Sequence, residues 1–284
     1  MRRMCGGKME TIRNSLFLIF IVVLSLGALG WFGIQIQPKP FSPFTEKETL
    51  LKTVSLPDGL PSPVERFFAA IYGDEIPVIE TTVIFGRGVL KPFMNIPIPA
   101  RFVFVHNAGR DYRHYFEATF FGIPVLKVNE GYIDGVSFFA SPMAHTTNDP
   151  NNNQAANLTL WAEAIWFPAL WVSDPRVHWE AVDANTALLY VPFENDEENF
   201  VVRFNPQTGL IDTMETMRYR DAGEDQSKIL WILRNEYRQS LIENNPRSVD
   251  SAMWLDQGAP WAYFDAEKVI LNIDVSTYIR QNGY

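Results

Sequence analysis

Glu163 stands between two indoles in Trp161-Ala162-Glu163-Ala164-Ile165-Trp166. By type and neighbours it is the residue best suited to acid–base work. Burial against tryptophan raises a carboxyl pKa, as a general acid requires. Hydrolysis by paired carboxylates needs a second acid. Glu117, Glu180 and Asp183 lie on expected strands, but their spacing fixes none of them. The plainer reading is an exposed or arginine-paired glutamate. The four histidines, His106, His114, His145 and His178, are isolated along the chain, and no H-E-x-x-H or cysteine–histidine spacing occurs. Local pairing of the kind that builds a zinc site is therefore missing, so neither metal nor cofactor is expected. His106 and His114 flank residues 107–111 and could face each other across a hairpin; otherwise the histidines read as surface or edge residues. Ser141 and His145 are neighbours without an identifiable orienting acid. G-x-S-x-G, Walker and dinucleotide fingerprints are absent, and Gly86-Arg87-Gly88 reads as a strand bulge or turn. No catalytic residue is expected.

These side chains need elements to hold them. After a polar run at 148–153, Ala155, Leu158, Trp161, Ala162, Ile165 and Trp166 recur at spacings of three and four. That predicts an amphipathic helix over 154–167, stopped by Pro168. Its position inside this helix argues against glycosylation of Asn157-Leu158-Thr159. A second helix is expected over 62–72, with Ser62 as cap and Pro63 in its first position. On either side of the central helix run short β-branched and aromatic stretches at 79–90, 101–106, 112–121, 123–129 and 132–139, then 177–183, 186–193, 199–204, 210–220 and 229–238. A last strand is expected at 269–273. Turn formers separate them at 107–111, Gly122, 129–131, 183–185 and 206–209. Connections this short join antiparallel neighbours.

Strands 101–106 and 112–121 carry aromatic or aliphatic residues on both faces, so something apolar must cover each side. Helices over one face and a lipidic cavity, or closure of a barrel, would do so. An ordinary sheet between helical layers is the alternative.

Residues 16–36 are almost continuously apolar, and about 20 residues cross a hydrocarbon layer as a helix. Arg2, Arg3, Lys8 and Arg13 precede them against Glu10 alone, which keeps the tail cytoplasmic. The chain divides into a tail (1–14), an anchor (15–36), a proline-rich stalk (37–60) and an exported domain (61–284). Cleavage after Ala28-Leu29-Gly30 is the alternative to a retained anchor. Cys5, the only cysteine, lies on the cytoplasmic side of the anchor, so the exported part forms no disulfide. The net charge is −9; the tail is basic by three, which leaves about −12 on the rest and disfavours nucleic acid and anionic headgroups.

Residues 161–170, Trp-Ala-Glu-Ala-Ile-Trp-Phe-Pro-Ala-Leu, resemble a motif of an uncharacterised family of exported or membrane-anchored bacterial proteins. The stretches 60–68 and 177–183 resemble its opening and a later block. In strand–helix order the chain is also similar to LolA-type lipoprotein carriers, which implies a curved half-barrel plugged by helices around an apolar space. No residue motif carries that second resemblance.

The expected fold is α+β: a strongly curved antiparallel half-barrel of about ten strands with packed helices, preceded by one transmembrane helix. The expected function is non-catalytic binding of a hydrophobic small molecule or lipid by a domain tethered to the cell membrane. Phe116, Phe120, Tyr132, Phe138, Trp161, Glu163 and Trp166 are the candidate ligand residues. A cell-envelope scaffold with a solid core and unspecified protein partners is the alternative, and a hydrolase ranks below both.

Overall fold

The computed structural model describes residues 4–42, 51–91, 95–223, 225–238 and 247–283. Residues 43–50 of the expected stalk lie outside the described residues. Helix α1 (Met4–Gln35) is followed by β1 (Thr53–Ser55), α2 (Ser62–Tyr72) and β2 (Glu75–Pro77). The first strand series is β3 (Thr81–Leu90), β4 (Ile98–Asn107), β5 (Asp111–Phe120), β6 (Ile123–Ile133), β7 (Val136–Ala140) and β8 (His145–Thr147). Helix α3 (Pro150–Ala162), a 3-10 turn (Glu163–Trp166) and the single-turn α4 (Leu170–Ser173) then lead to the second series. That series is β9 (His178–Asp183), β10 (Thr186–Phe193), β11 (Asp196–Phe204), β12 (Ile211–Arg218), β13 (Ile229–Arg238), β14 (Arg247–Trp254) and β15 (Pro260–Leu271).

Thirteen strands form one antiparallel sheet in the order β8-β7-β6-β5-β4-β3-β15-β14-β13-β12-β11-β10-β9. The first series walks from the middle of the sheet to one edge. Helix α3 carries the chain across the face to the opposite edge, and the second series walks back until β15 pairs with β3. Sequence reading expects about ten strands; the additions are the short edge strand β8, all of β14 and most of β15.

Both faces of the sheet's middle are covered. On the concave face, Phe67 and Phe68 of α2, Leu158 and Trp161 of α3, and Trp171 of α4 pack with Ile84, Phe102, Phe104, Leu189 and Phe200 in one core. Each fully buried side chain of this size contributes roughly 1.5–3 kcal/mol. On the convex face, Val83, Phe85, Val103, Val105 and Tyr115 are roofed by Phe41 and by Ile273, Val275 and Ile279 from the C-terminal segment. The doubly apolar pattern of β4 and β5 thus has its cover on each side. The outer half differs: β11 and β12 expose Arg203, Asp212 and Met217 while burying Phe200, Val202, Ile211 and Met214, so water wets one side there.

Helix α2 spans the expected residues, although Pro61 rather than Ser62 occupies its cap; the Ser62 hydroxyl accepts from Arg66 Nη1 at 2.8 Å. Helix α3 departs further from expectation. It is capped by Asp149, which accepts from Asn152 N, and every residue from Asn153 to Ala162 is buried. It has no solvated polar face. Asn157 Nδ2 donates to Pro192 O at 3.1 Å, Gln154 Nε2 to Met217 O at 3.1 Å, and Asn153 Oδ1 accepts from Ser137 N at 2.8 Å. Its polar positions dock on strand backbone, so the helix lies fully inside the curve of the sheet.

The expected turn at Asn129-Glu130-Gly131 is continuous strand within β6. The reversal comes at Asp134-Gly135, both with positive φ (52° and 80°), as a two-residue hairpin with this twist requires. Gly131 is glycine for space: a Cβ there would lie 2.5 Å from Tyr112 O.

Helix α1 is long and apolar enough to cross a membrane from Arg13 to Gln35. Its last turn touches the domain. Phe121 N donates to Gly33 O at 2.8 Å, and a Cβ on Gly33 would overlap the Phe120 ring at 2.3 Å. Just beyond it, the Arg101 guanidinium sits 4.3 Å over Phe41, which packs on Tyr115.

Candidate functional site

Antiparallel β4 and β5 pair Phe104 with His114 and His106 with Tyr112. His106 and His114 therefore share the concave face, one pair apart on adjacent strands. Both are buried, at 0% and 2% exposure, which corrects their reading as surface or edge residues. The tightening of α3 into its 3-10 turn brings Glu163 over the same two strands. Its side chain is only 12% exposed, and its partners are histidines, which corrects the exposed or arginine-paired reading. Glu163 Oε2 lies 2.7 Å from His114 Nε2 and 2.9 Å from His106 Nε2. Glu130 Oε1 meets the other His114 nitrogen, Nδ1, at 3.1 Å. The His114 ring is sandwiched, with centroids at 3.7 Å from Phe104 and 4.3 Å from Tyr112.

Burial alone would depress His114, but the charges and hydrogen bonds of Glu163 and Glu130 outweigh it and raise the imidazole to about 9. Burial likewise pushes Glu163 up, yet His114 and His106 together hold it below its ordinary value. The two directions agree: at neutral pH this is an imidazolium between two carboxylates. For His106, burial wins and the pKa falls, with Glu163 only partly opposing, so this ring is neutral. Despite the 2.9 Å approach, neither ring nitrogen of His106 is aligned for a hydrogen bond.

His114, Glu130, Glu163 and Arg218, but not His106, line a cavity of about 490 Å³ between the concave face and the α3–Trp166 segment. Leu90, Ile98, Phe116, Ala118, Leu126 and Val128 line it from β3 to β6, with Ile165 and Trp166 above and Met214, Trp231, Trp254, Trp261 and Phe264 opposite. Its polar lining is His114, Glu130, Glu163 and Arg218 on the floor, with Arg220, Arg234, Asn235 and Asp250 elsewhere on the wall. The Arg218 guanidinium lies 4.2 Å over the Trp231 ring and 5.6 Å from that of Trp254. Its buried Nε has no hydrogen-bond partner. Burial lowers the Arg218 pKa, with Tyr112, Glu130 and Glu163 opposing; an arginine nevertheless stays charged.

Of the residues singled out from sequence, Phe116, Glu163 and Trp166 share this cavity, and the Trp166 indole donates to the buried Asp250 carboxylate. Phe120 sits under the end of α1. Tyr132 and Trp161 border a separate, more open hollow of about 570 Å³ with Arg110, Asp111 and Arg176. Phe138 lies over Gly131, and its neighbour Phe139, which pairs with Glu130, is the one that lines the cavity. The sequence reading missed Glu130, His114 and Arg218 as cavity residues. Glu117 lies with Arg101 and Tyr115 (2.8 and 2.7 Å); Glu180 and Asp183 are exposed on β9.

A family model described as a family of unknown function (DUF6544) matches residues 51–266. Among solved structures, the chain is similar to a LolA superfamily protein from Nitrosomonas europaea, at 10% identity and a TM-score of 0.43, over 78% of this chain and 96% of that one. It is also similar to a domain assigned to outer membrane lipoprotein sorting from Vibrio parahaemolyticus, at 10% identity and a TM-score of 0.39, over 74% and 89% of the two chains. No curated protein matches.

Proposed function

The chain belongs to the DUF6544 family, whose function is unknown, and from the geometry we propose that it binds a single-chain amphiphile, such as a fatty acid or lipid tail, in the concave cavity. One observation carries the reading: about 490 Å³ of space with mostly apolar walls and a few charged groups among them. Apolar walls with a few convergent polar groups suit a ligand with a tail and a head. A scaffold with a solid interior has no use for such a space.

Placement supports the same source for the ligand. Leu90, Ile98 and Ala118 line the cavity at the strand ends from which the β5–β6 turn meets α1. Ile96, Ile123 and Val125 are exposed at that end. In this reading α1 is a retained anchor with a cytoplasmic tail, the domain is extracytoplasmic, and the bilayer supplies the amphiphile. Organic extraction of the purified full-length protein, followed by mass spectrometry, should release a chain-bearing lipid in near-stoichiometric amount. The proposal fails if nothing is released and delipidated protein takes up no brominated fatty acid, read by quenching of the cavity tryptophans.

The acid–base groups on the floor favour one second reading, hydrolysis of an ester carried by the bound chain. Turnover of medium-chain nitrophenyl esters that is lost in Glu163→Gln would support it.

A further inference from the structure

We propose that His106 Nε2, His114 Nε2 and Glu163 Oε2 form a binding site for one divalent transition-metal ion, zinc being the first candidate, with its open side toward the cavity. The three donor atoms lie within 4.8 Å of one another and come from β4, β5 and the 3-10 turn after α3. An ion pair of His114 with Glu163 accounts for two of the three residues. It leaves His106 fully buried, its Nε2 2.9 Å from Glu163 Oε2 without hydrogen-bond alignment and its Nδ1 without a partner, a costly state for a buried polar ring. An ion on Nε2 relieves one of the two nitrogens and explains why a second histidine is aimed at an oxygen with which it makes no hydrogen bond.

The surrounding chemistry is that of a ligand set. Two imidazoles and a carboxylate, with no thiol, suit zinc and its first-row neighbours rather than calcium or magnesium. Glu130 on Nδ1 of His114, at 3.1 Å, is the outer carboxylate that orients a metal-binding imidazole. Phe104 and Tyr112 clamp that ring from both sides. Bonds of about 2.0–2.1 Å to each donor in a tetrahedral arrangement would set the donors about 3.3 Å apart. Glu163 Oε2 now lies 2.7 and 2.9 Å from the two nitrogens, so an ion would part the carboxylate from each imidazole by about half an ångström. Charge is consistent as well: an ion on neutral His114, with Glu163, Glu130 and Arg218 around it, leaves one positive charge at the cavity floor. Water as hydroxide, or the anionic head of an occupant, would balance it in the fourth position.

The site stands whether or not the cavity holds lipid, and its test separates the two. Full-length protein without a histidine tag is stripped with a chelator and dialysed against zinc or cobalt(II). We expect one equivalent of zinc by elemental analysis and, for cobalt, the intense visible absorption of a four- or five-coordinate ion. His106→Ala and Glu163→Gln should each lose at least tenfold in affinity. Glu130→Gln, which orients without ligating, should lose about 10–100-fold, while His178→Ala, at an exposed histidine, should keep the full equivalent. Failure of the wild type to hold one equivalent overturns the proposal, as does full affinity in both His106→Ala and Glu163→Gln. Should those variants not fold, the wild-type cobalt spectrum decides alone.

Discussion

Chain length is the perturbation that probes the cavity most directly. At roughly 30 Å³ per water-sized group, the 490 Å³ space takes about 16 such groups, or one saturated chain of about 14–16 carbons. Each methylene moved from water into it contributes about 0.8 kcal/mol, an upper limit of roughly fourfold in affinity per carbon. Ordering a flexible chain offsets part of this, so about twofold to fourfold per carbon is expected. Fatty acids of increasing length, competed against a brominated probe that quenches Trp166, Trp231 and Trp254, should tighten steadily from about eight carbons and level off near sixteen. Ala118 is buried on the cavity wall. The six aromatic carbons added by Ala118→Phe take up about a fifth of the space, which moves the plateau down by about three carbons. A flat dependence on length, or a plateau that Ala118→Phe leaves in place, would refute the assignment of the chain to this cavity.

Metal-free protein should show a pH signature of the buried pair. His114 is raised from 6.5 to about 9, so its contribution is complete below pH 6.5 and is lost as pH rises through about 9. Glu163 is lowered, so its contribution is present above its ordinary value and is lost in acid. Urea unfolding should therefore find a loss on the order of 3 kcal/mol between pH 6.5 and 9.5, absent in His114→Gln. Leu158→Ala, at a fully buried contact of α3 with the core, should cost about 2–5 kcal/mol in the same assay. Asp149→Ala removes the α3 cap and should cost about 1 kcal/mol.

Much of the frame was legible because its signals are local. Turn residues and β-branched runs marked the hairpins, and the two-sided greasiness of β4 and β5 required a cover on each face, which α2, α3 and the C-terminal segment provide. The site was less legible because it is assembled across the chain. His106, His114 and Glu163 have no local ligand spacing; antiparallel register puts the histidines on one face, and a change of helix type turns the glutamate over them. Glu130 sat in a stretch whose composition reads as a turn, where continuous pairing with β5 on one side and β7 on the other overrides local preference. The real reversal at Asp134-Gly135 set the parity of β7, which is why Phe139 rather than Phe138 reaches the cavity. Strand β14 and the first part of β15, before the expected strand at 269–273, were missed for a related reason. Asp250 and Pro260 interrupt their pattern, and both strands are held by neighbours on each side.

The seam between β3 and β15 pairs residues 82–90 with residues 262–271, so the middle of the sheet is joined by strands about 180 residues apart in the chain. Until they pair, Gly86 and Gly88 face open solvent where the backbone of Asp265 and Tyr263 will lie, and the wall formed by Trp261 and Phe264 does not exist. So distant a pairing forms slowly. A chain that has not yet made this pairing therefore carries a long unpaired edge open to aggregation, and the cavity lacks one wall until β15 docks on β3.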